Sequence, residues 1–148
     1  MHYELNNMSL HYVVLLLGSN LGNTKSNLNQ AIAKIENCLG NIIKSSEMIE
    51  TQPVEFESSN VFRNMALVLV TSHSPCELLK KIKIIEKDMG RNYDSMVLGK
   101  YEDRIIDIDI VTFNGIIYDS KKLKIPHTKH LLEREFSRKI LESLNVEK

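Results

Sequence analysis

The sequence predicts an α+β fold, an antiparallel sheet with packed helices, in the order strand, helix, strand, strand, helix, strand. Three observations predict it. Residues 13–17 are apolar on both faces and stop at Gly18, as a central strand does. Two segments, one starting near Thr24 and one at Ser74, repeat apolar residues at helical spacing. Around Asp107, isoleucine and aspartate alternate strictly, which is the period of a strand.

Each element has its own signals. After the first strand, Gly18-Ser19-Asn20-Leu21-Gly22 lacks both GxGxxG and the lysine of a P-loop, so it reads as a tight structural turn. The first helix places Leu28, Ile32, Ile35 and Leu39 on one stripe, and Gly40 stands where a C-terminal cap is expected. One strand is expected over residues 42–49, broken by Thr51-Gln52-Pro53, with a polar loop over residues 54–60. Residues 62–71 form a long strand with Met65, Leu67 and Leu69 on one face. Ser74-Pro75-Cys76-Glu77 is a helix start: serine caps, proline fits the first turn and glutamate closes a capping box. Leu78, Leu79, Ile82, Ile85 and Met89 make that helix's buried stripe, and Gly90 ends it. Residues 91–103 have no period and read as a loop.

A strand is then expected over residues 104–113. Asn114-Gly115 is a hairpin signal leading into residues 116–118. Residues 121–126 are a basic edge, and residues 129–144 one or two short helices. The order is the split βαβ pattern of ferredoxin-like folds. The expectation is a ferredoxin-like βαββαβ sandwich with an additional C-terminal hairpin and helices. Residues 1–10 read as a loosely held leader and residues 11–148 as a single domain.

Composition narrows the function classes. With 43% apolar residues the chain can bury a real core. Acids and bases balance at 19 each, which argues against bulk electrostatic binding to nucleic acid or an anionic membrane. No segment reaches the roughly 18 apolar residues that span a bilayer. Cys38 and Cys76 form no CxxC pair, which suits a reducing, cytoplasmic setting.

The chemistry-bearing candidates begin with Asp107 and Asp109. They share one face of their strand, while Ile106, Ile108 and Ile110 face a core. Neighbouring carboxylates repel unless a cation lies between them, and hard oxygen ligands suit magnesium. The alternative is a solvated strand face. Arg91 and Arg104 bracket the loop that holds Lys100 and Tyr101, and Lys121, Lys122 and Lys124 follow later. Cations around paired carboxylates suggest a polyphosphate ligand, although each alone reads as a surface residue. Phe62 and Asn64 share a strand face, and with Phe136 they suit a flat heterocycle: rings stack and the amide reads its edge. Core packing is the alternative for both phenylalanines. His127 and His130 lack the companions of a zinc site. A single hydrogen-bonding role is expected for His127, and His130 is expected to be exposed or capping. Glu86, taken alone, reads as a solvated charge.

In register, these residues resemble the hydroxymethyldihydropterin pyrophosphokinase family. Arg104-Ile-Ile-Asp107-Ile-Asp109-Ile is similar to its R-x-[IL]-D-[IL]-D-[IL] signature. Leu17-Gly18-Ser19-Asn20-Leu21-Gly22 resembles its GSNLG turn, Thr51-Gln52-Pro53 its T-x-P and Phe62-Arg63-Asn64 its [YF]-x-N. Glu86-Lys-Asp-Met-Gly90-Arg91 resembles its E-x-x-x-G-R, Ile125-Pro126-His127 its [VI]-P-H and Arg134-Glu135-Phe136 its R-x-F. The chain departs from the family at Glu102-Asp103, where Gly-Pro is common, and at Thr128. The span from His127 to Phe136 is one residue longer than usual.

The resemblance implies transfer of pyrophosphate from ATP to 6-hydroxymethyl-7,8-dihydropterin on two Mg2+ ions held by Asp107 and Asp109. It implies pterin binding by Thr51, Val54, Phe62, Asn64 and Phe136. It implies ATP binding by Lys83, Glu86, Lys100, Tyr101, Arg104, Ile110, Lys122, Lys124, His127, Thr128 and Arg134, with Arg91 and Arg104 among the catalytic groups. The expected partners are these small molecules only, and the expected state is a monomer. Two rivals remain at this stage. An RNA-recognition module would need aromatics on the central strands and a basic face. Another magnesium-dependent phosphoryl transferase would have no use for Thr51, Phe62, Asn64 and Phe136.

Overall fold

A computed structural model of the chain describes residues 9–51, 61–90 and 103–144. Helix α1 (Thr24–Cys38) starts where Asn23 Oδ1 accepts the Ser26 N–H at 3.0 Å, and it buries Leu28, Ala31 and Ile35. Beyond it the chain presses on a neighbouring strand. A Cβ on Gly40 would lie 2.1 Å from the Val70 carbonyl oxygen, so only glycine fits there. Helix α2 (Pro75–Asp88) has the expected capping box: Glu77 N–H to Ser74 Oγ at 3.2 Å, and Ser74 N–H to Glu77 Oε1 at 3.0 Å. Gly90 follows it at φ 108°, its N–H bonded to the Lys87 carbonyl.

The sheet contains β1 (His11–Ser19), β2 (Asn41–Ser45), β3 (Ile49–Thr51), β4 (Phe62–Thr71) and β5 (Asp107–Phe113). Their order is β2-β4-β1-β5, all antiparallel, with β3 also paired to β4. Helices α1 and α2 cover one face. There Val13, Leu15, Leu17, Met65, Leu67, Leu69, Ile108 and Ile110 pack with Leu28, Ile35, Leu78 and Ile82. A third helix, α3 (Glu135–Ser143), covers the other face, where Leu16, Ala66 and Val111 meet Ile140, Leu141 and Leu144. Strand β1 is thus buried on both sides, which is why its apolar run is unbroken. Each fully buried aliphatic chain contributes roughly 1.5–3 kcal/mol.

One irregularity sets which side chains face where. Leu15 pairs with Ile110 but Val14 pairs with Thr112, so Val111 is the extra residue of a bulge in β5. Asp107, Asp109 and Val111 share the α3 side. Past the bulge the alternation reverses, and Phe113 returns to the helix-covered core.

Three expected elements differ. The strand expected over residues 42–49 is two strands. Between them Ser46 N–H bonds the Ala66 carbonyl at 2.8 Å, while Ser46 Oγ accepts the Ala66 N–H at 2.9 Å, so a side chain replaces a ladder position. The strand expected from Arg104 begins at Asp107. Arg104 instead exchanges hydrogen bonds with Asn20, its N–H to Asn20 Oδ1 at 2.8 Å and its carbonyl from the Asn20 N–H at 3.1 Å. The Asn114-Gly115 turn forms, with φ 57° and 93°, but residues 116–118 do not return along β5. The outer edge of β5 is already occupied: Glu86 Oε2 accepts the Ile108 N–H at 2.8 Å, and the Val111 carbonyl accepts the His127 N–H at 2.9 Å. The hairpin forms instead between β6 (Tyr118–Asp119) and β7 (Lys124–Ile125). Residues 129–144 give a π-helical turn (Lys129–Glu133) and then α3. A π turn holds one residue more than an α turn. The expected leader falls almost wholly outside the described residues.

Candidate active site

The sheet register builds the site. Gly18 of β1 pairs with Asn64 of β4 on one side and with Asp107 of β5 on the other. One step along, Leu16 lies between Ala66 and Asp109. Neighbouring strands are about 4.8 Å apart, so Asn64 and Asp107 stand roughly 10 Å apart across a bare glycine. A Cβ on Gly18 would come 2.6 Å from Asn64 Oδ1 and 3.7 Å from Phe62 Cδ1, which puts all three on one face. Asn64 is buried, and its Nδ2 donates to Thr51 Oγ1 at 2.8 Å. That bond fixes the amide plane.

The carboxylate end carries its own counter-charges. Arg104 Nη1 lies 3.5 Å from Asp107 Oδ1. Asp109 Oδ2 lies 2.8 Å from His130 Nε2 and 3.9 Å from His127 Nε2. Burial alone would raise the Asp109 pKa. The His130 hydrogen bond, with the charges of His130, His127 and Lys83, outweighs it and lowers the pKa to about 2. Asp109 is therefore ionised at neutral pH. Burial holds the His127 pKa below its usual value despite the pull of Asp109. Asp107 and Asp109 keep side-chain exposures of 25% and 27%, so both can reach a ligand. The oxygens of paired carboxylates fit a hard divalent cation. Asp109, His127 and His130 also bring three ligand atoms within 4.8 Å of one another.

A face with a fixed amide and aromatic at one end and paired carboxylates at the other suits a flat heterocycle joined to a metal-bound phosphate chain. The model of the 7,8-dihydro-6-hydroxymethylpterin-pyrophosphokinase (HPPK) family matches residues 14–146. The chain belongs to that family. It is 36% identical over 129 residues to the 2-amino-4-hydroxy-6-hydroxymethyldihydropteridine pyrophosphokinase of Porphyromonas gingivalis, covering 85% of each chain. The protein of the same name from Aquifex aeolicus is 40% identical over 124 residues, 84% of this chain and 74% of that one. The mitochondrial folate synthesis bifunctional protein of Arabidopsis thaliana is 38% identical over 85% of this chain, which spans 22% of that longer protein. The fold is shared with the crystal structure of Plasmodium falciparum HPPK-DHPS, at a TM-score of 0.62 and 22% identity, covering 90% of this chain and 34% of that one.

Within the pyrophosphokinase family frame, the residues named from sequence divide. Thr51, Phe62, Asn64, Arg104, Asp107, Asp109 and His127 lie on or beside the face just described. Phe136 packs against the α3-side core, and burial lowers the Arg134 pKa. Val54, Arg91, Lys100 and Tyr101 lie outside the described residues. Ile110 is 3% exposed in the core under α1 and α2, so its side chain is not on this face. Glu86 corrects the expectation of a solvated charge. It is 3% exposed, bonded to the Ile108 N–H and 3.4 Å from Lys83 Nζ. Lys124 Nζ pairs with Asp119 on the β6–β7 ribbon, Lys122 is exposed on its turn, and Thr128 leads into the π turn. Asp103 accepts from Asn20 Nδ2 at 2.6 Å, so this departure from the family motif is anchored to the turn after β1. His130 is the residue that sequence reasoning missed: it is buried, neither exposed nor capping. Its i+3 spacing from His127 was the available signal. Part of the face that an RNA-recognition module would expose is covered here by α3.

Proposed function

We propose that the chain transfers pyrophosphate from ATP to 6-hydroxymethyl-7,8-dihydropterin, giving AMP and the pterin diphosphate, as one domain spanning residues 11–148 and acting as a monomer in the cytoplasm. The observation that carries this reading is the Asn64–Gly18–Asp107 row. It has an amide and a carboxylate on one face of a family member, which supports an amide that reads the pterin and a carboxylate on the phosphate side. The strand order supports a ferredoxin-like arrangement, and the two free cysteines suit a reducing compartment. No helix among the described residues is long and apolar enough to cross a membrane.

In this reading Phe62 and Phe136 sandwich the pterin, Asn64, held by Thr51, reads its edge, and Val54 contributes to pterin binding. Gly18 leaves the floor flat. Asp107 and Asp109 hold two Mg2+ ions, which neutralise phosphate charge when bound. Arg91 and Arg104 bind the phosphates, and Lys83, Glu86, Lys100, Tyr101, Lys122, Lys124, His127, Thr128 and Arg134 form the wider ATP surround. The hydroxymethyl oxygen attacks the β-phosphorus in line. The bond from that phosphorus to the α,β-bridging oxygen breaks, AMP leaves, and the hydroxyl proton passes to solvent. Positioning and charge stabilisation supply most of the acceleration.

The test is nucleotide product. AMP should form only with ATP, the pterin alcohol and Mg2+ together, stop on chelation with EDTA and resume when Mg2+ is restored. Release of ADP, or no nucleotide product, overturns the reading. Asp109→Ala should keep the fold by circular dichroism and lose turnover by at least about a hundredfold, as the loss of a charge-stabilising contact does.

A further inference from the structure

We infer that His130 is a positioning residue, holding Asp109 so that the carboxylate presents its free lone pairs to the cation. This rests on the reading of Asp109 as a metal ligand and goes beyond it by assigning a role to His130 and Ser137. His130 is a buried histidine with both ring nitrogens engaged. Nε2 lies 2.8 Å from Asp109 Oδ2, and Nδ1 lies 2.8 Å from Ser137 Oγ. An ionised carboxylate only accepts, so the proton in the first bond is on Nε2. The His127 ring lies against it at 4.2 Å between centroids, tilted by 32°. A link therefore runs from Ser137 on α3, through the π turn, to Asp109 on β5.

Its chemistry excludes two other roles. Serine, histidine and aspartate in this order resemble a nucleophilic triad, but Ser137 is 0% exposed and no substrate can reach it. Ligation of the cation by His130 would require giving up the bond to Asp109. Positioning uses the contacts as they stand. A carboxylate offers about four lone-pair sites, so one hydrogen bond leaves the others free while fixing their direction. Outer partners of this kind change metal affinity by about 10- to 100-fold when removed.

The experiment is a titration of Mn2+ into the full chain with α,β-methylene-ATP, followed by electron paramagnetic resonance. His130→Ala should weaken Mn2+ binding by about tenfold or more. His130→Gln, which restores an N–H donor, should recover most of that loss. Ser137→Ala should weaken binding less, in the same direction. A folded His130→Ala with unchanged Mn2+ affinity overturns the inference, as does a His130→Gln no better than alanine. So does a nitrogen hyperfine coupling to Mn2+ that vanishes in His130→Gln, because that marks direct ligation. Should both His130 variants fail to fold, Ser137→Ala decides: weakened binding supports positioning, and unchanged affinity overturns it. The pyrophosphoryl reading fails separately, through absence of AMP from the unmodified chain.

Discussion

Gly18 does more at the residue scale than its place in an apolar run indicates. A methyl group there meets Asn64 Oδ1 at 2.6 Å, so the amide must leave its bond to Thr51. Gly18→Ala should therefore raise KM for the pterin by about tenfold or more, the scale of one misplaced hydrogen bond, with a smaller change in KM for ATP. Steady-state kinetics with each substrate varied checks this. Asp109 gives a pH prediction. Its carboxyl is held down to about 2 against an ordinary 3.8, so it contributes stability that is fully present above pH 4. That contribution is lost as pH falls from about 4 to about 2. Denaturant titrations of the chain and of Asp109→Asn across this range should converge at the acid end. The direction in which Asp107 and Asp109 point was legible from alternation with isoleucine. The burial of Glu86 and His130 was not, because each bonds a residue of β5 far away in sequence: Ile108 for Glu86 and Asp109 for His130.

At the scale of elements, local codes were readable and substitutions for them were not. Helix α2 announced itself through Ser74, Pro75 and Glu77, because capping is decided within one turn. Ser74→Ala should cost about 1 kcal/mol. The split of β2 from β3 was hidden because Ser46 satisfies Ala66 with its own hydroxyl, which no periodicity records. The edge of β5 was hidden in the same way. A strand at the end of a sheet leaves N–H groups unpaired, and Glu86 reaches from α2 to accept that of Ile108. Glu86→Ala strands this donor and should cost about 1–3 kcal/mol. Glu86→Gln keeps an acceptor and should cost less. Urea midpoints at constant m-value separate the two.

For the whole molecule, the sandwich has two cores of unequal kind. The one under α1 and α2 is continuous, and its residues were legible from helical and strand periods. The one under α3 shares its sheet face with the polar site, so its apolar positions are interrupted by Asp107, Asp109 and Asn64 and form no stripe. Ile140, fully buried in this second core, should cost about 2–5 kcal/mol when changed to alanine. Loosening α3 also loosens Ser137, so Ile140→Ala should lower Mn2+ affinity along with the unfolding midpoint.

The bulge at Val111 bears on how this sequence can vary. Side-chain direction in β5 is set by counting residues from an anchor, and the extra residue is what lets Phe113 and Asp109 point to opposite faces. Its carbonyl also tethers His127. Individual amino acids here can be exchanged while the count is kept. Deleting the extra residue would leave Asp109 and Phe113 three positions apart, still on opposite faces by simple alternation, but would remove the carbonyl that tethers His127. Losing the bulge should therefore loosen His127 rather than turn the strand over.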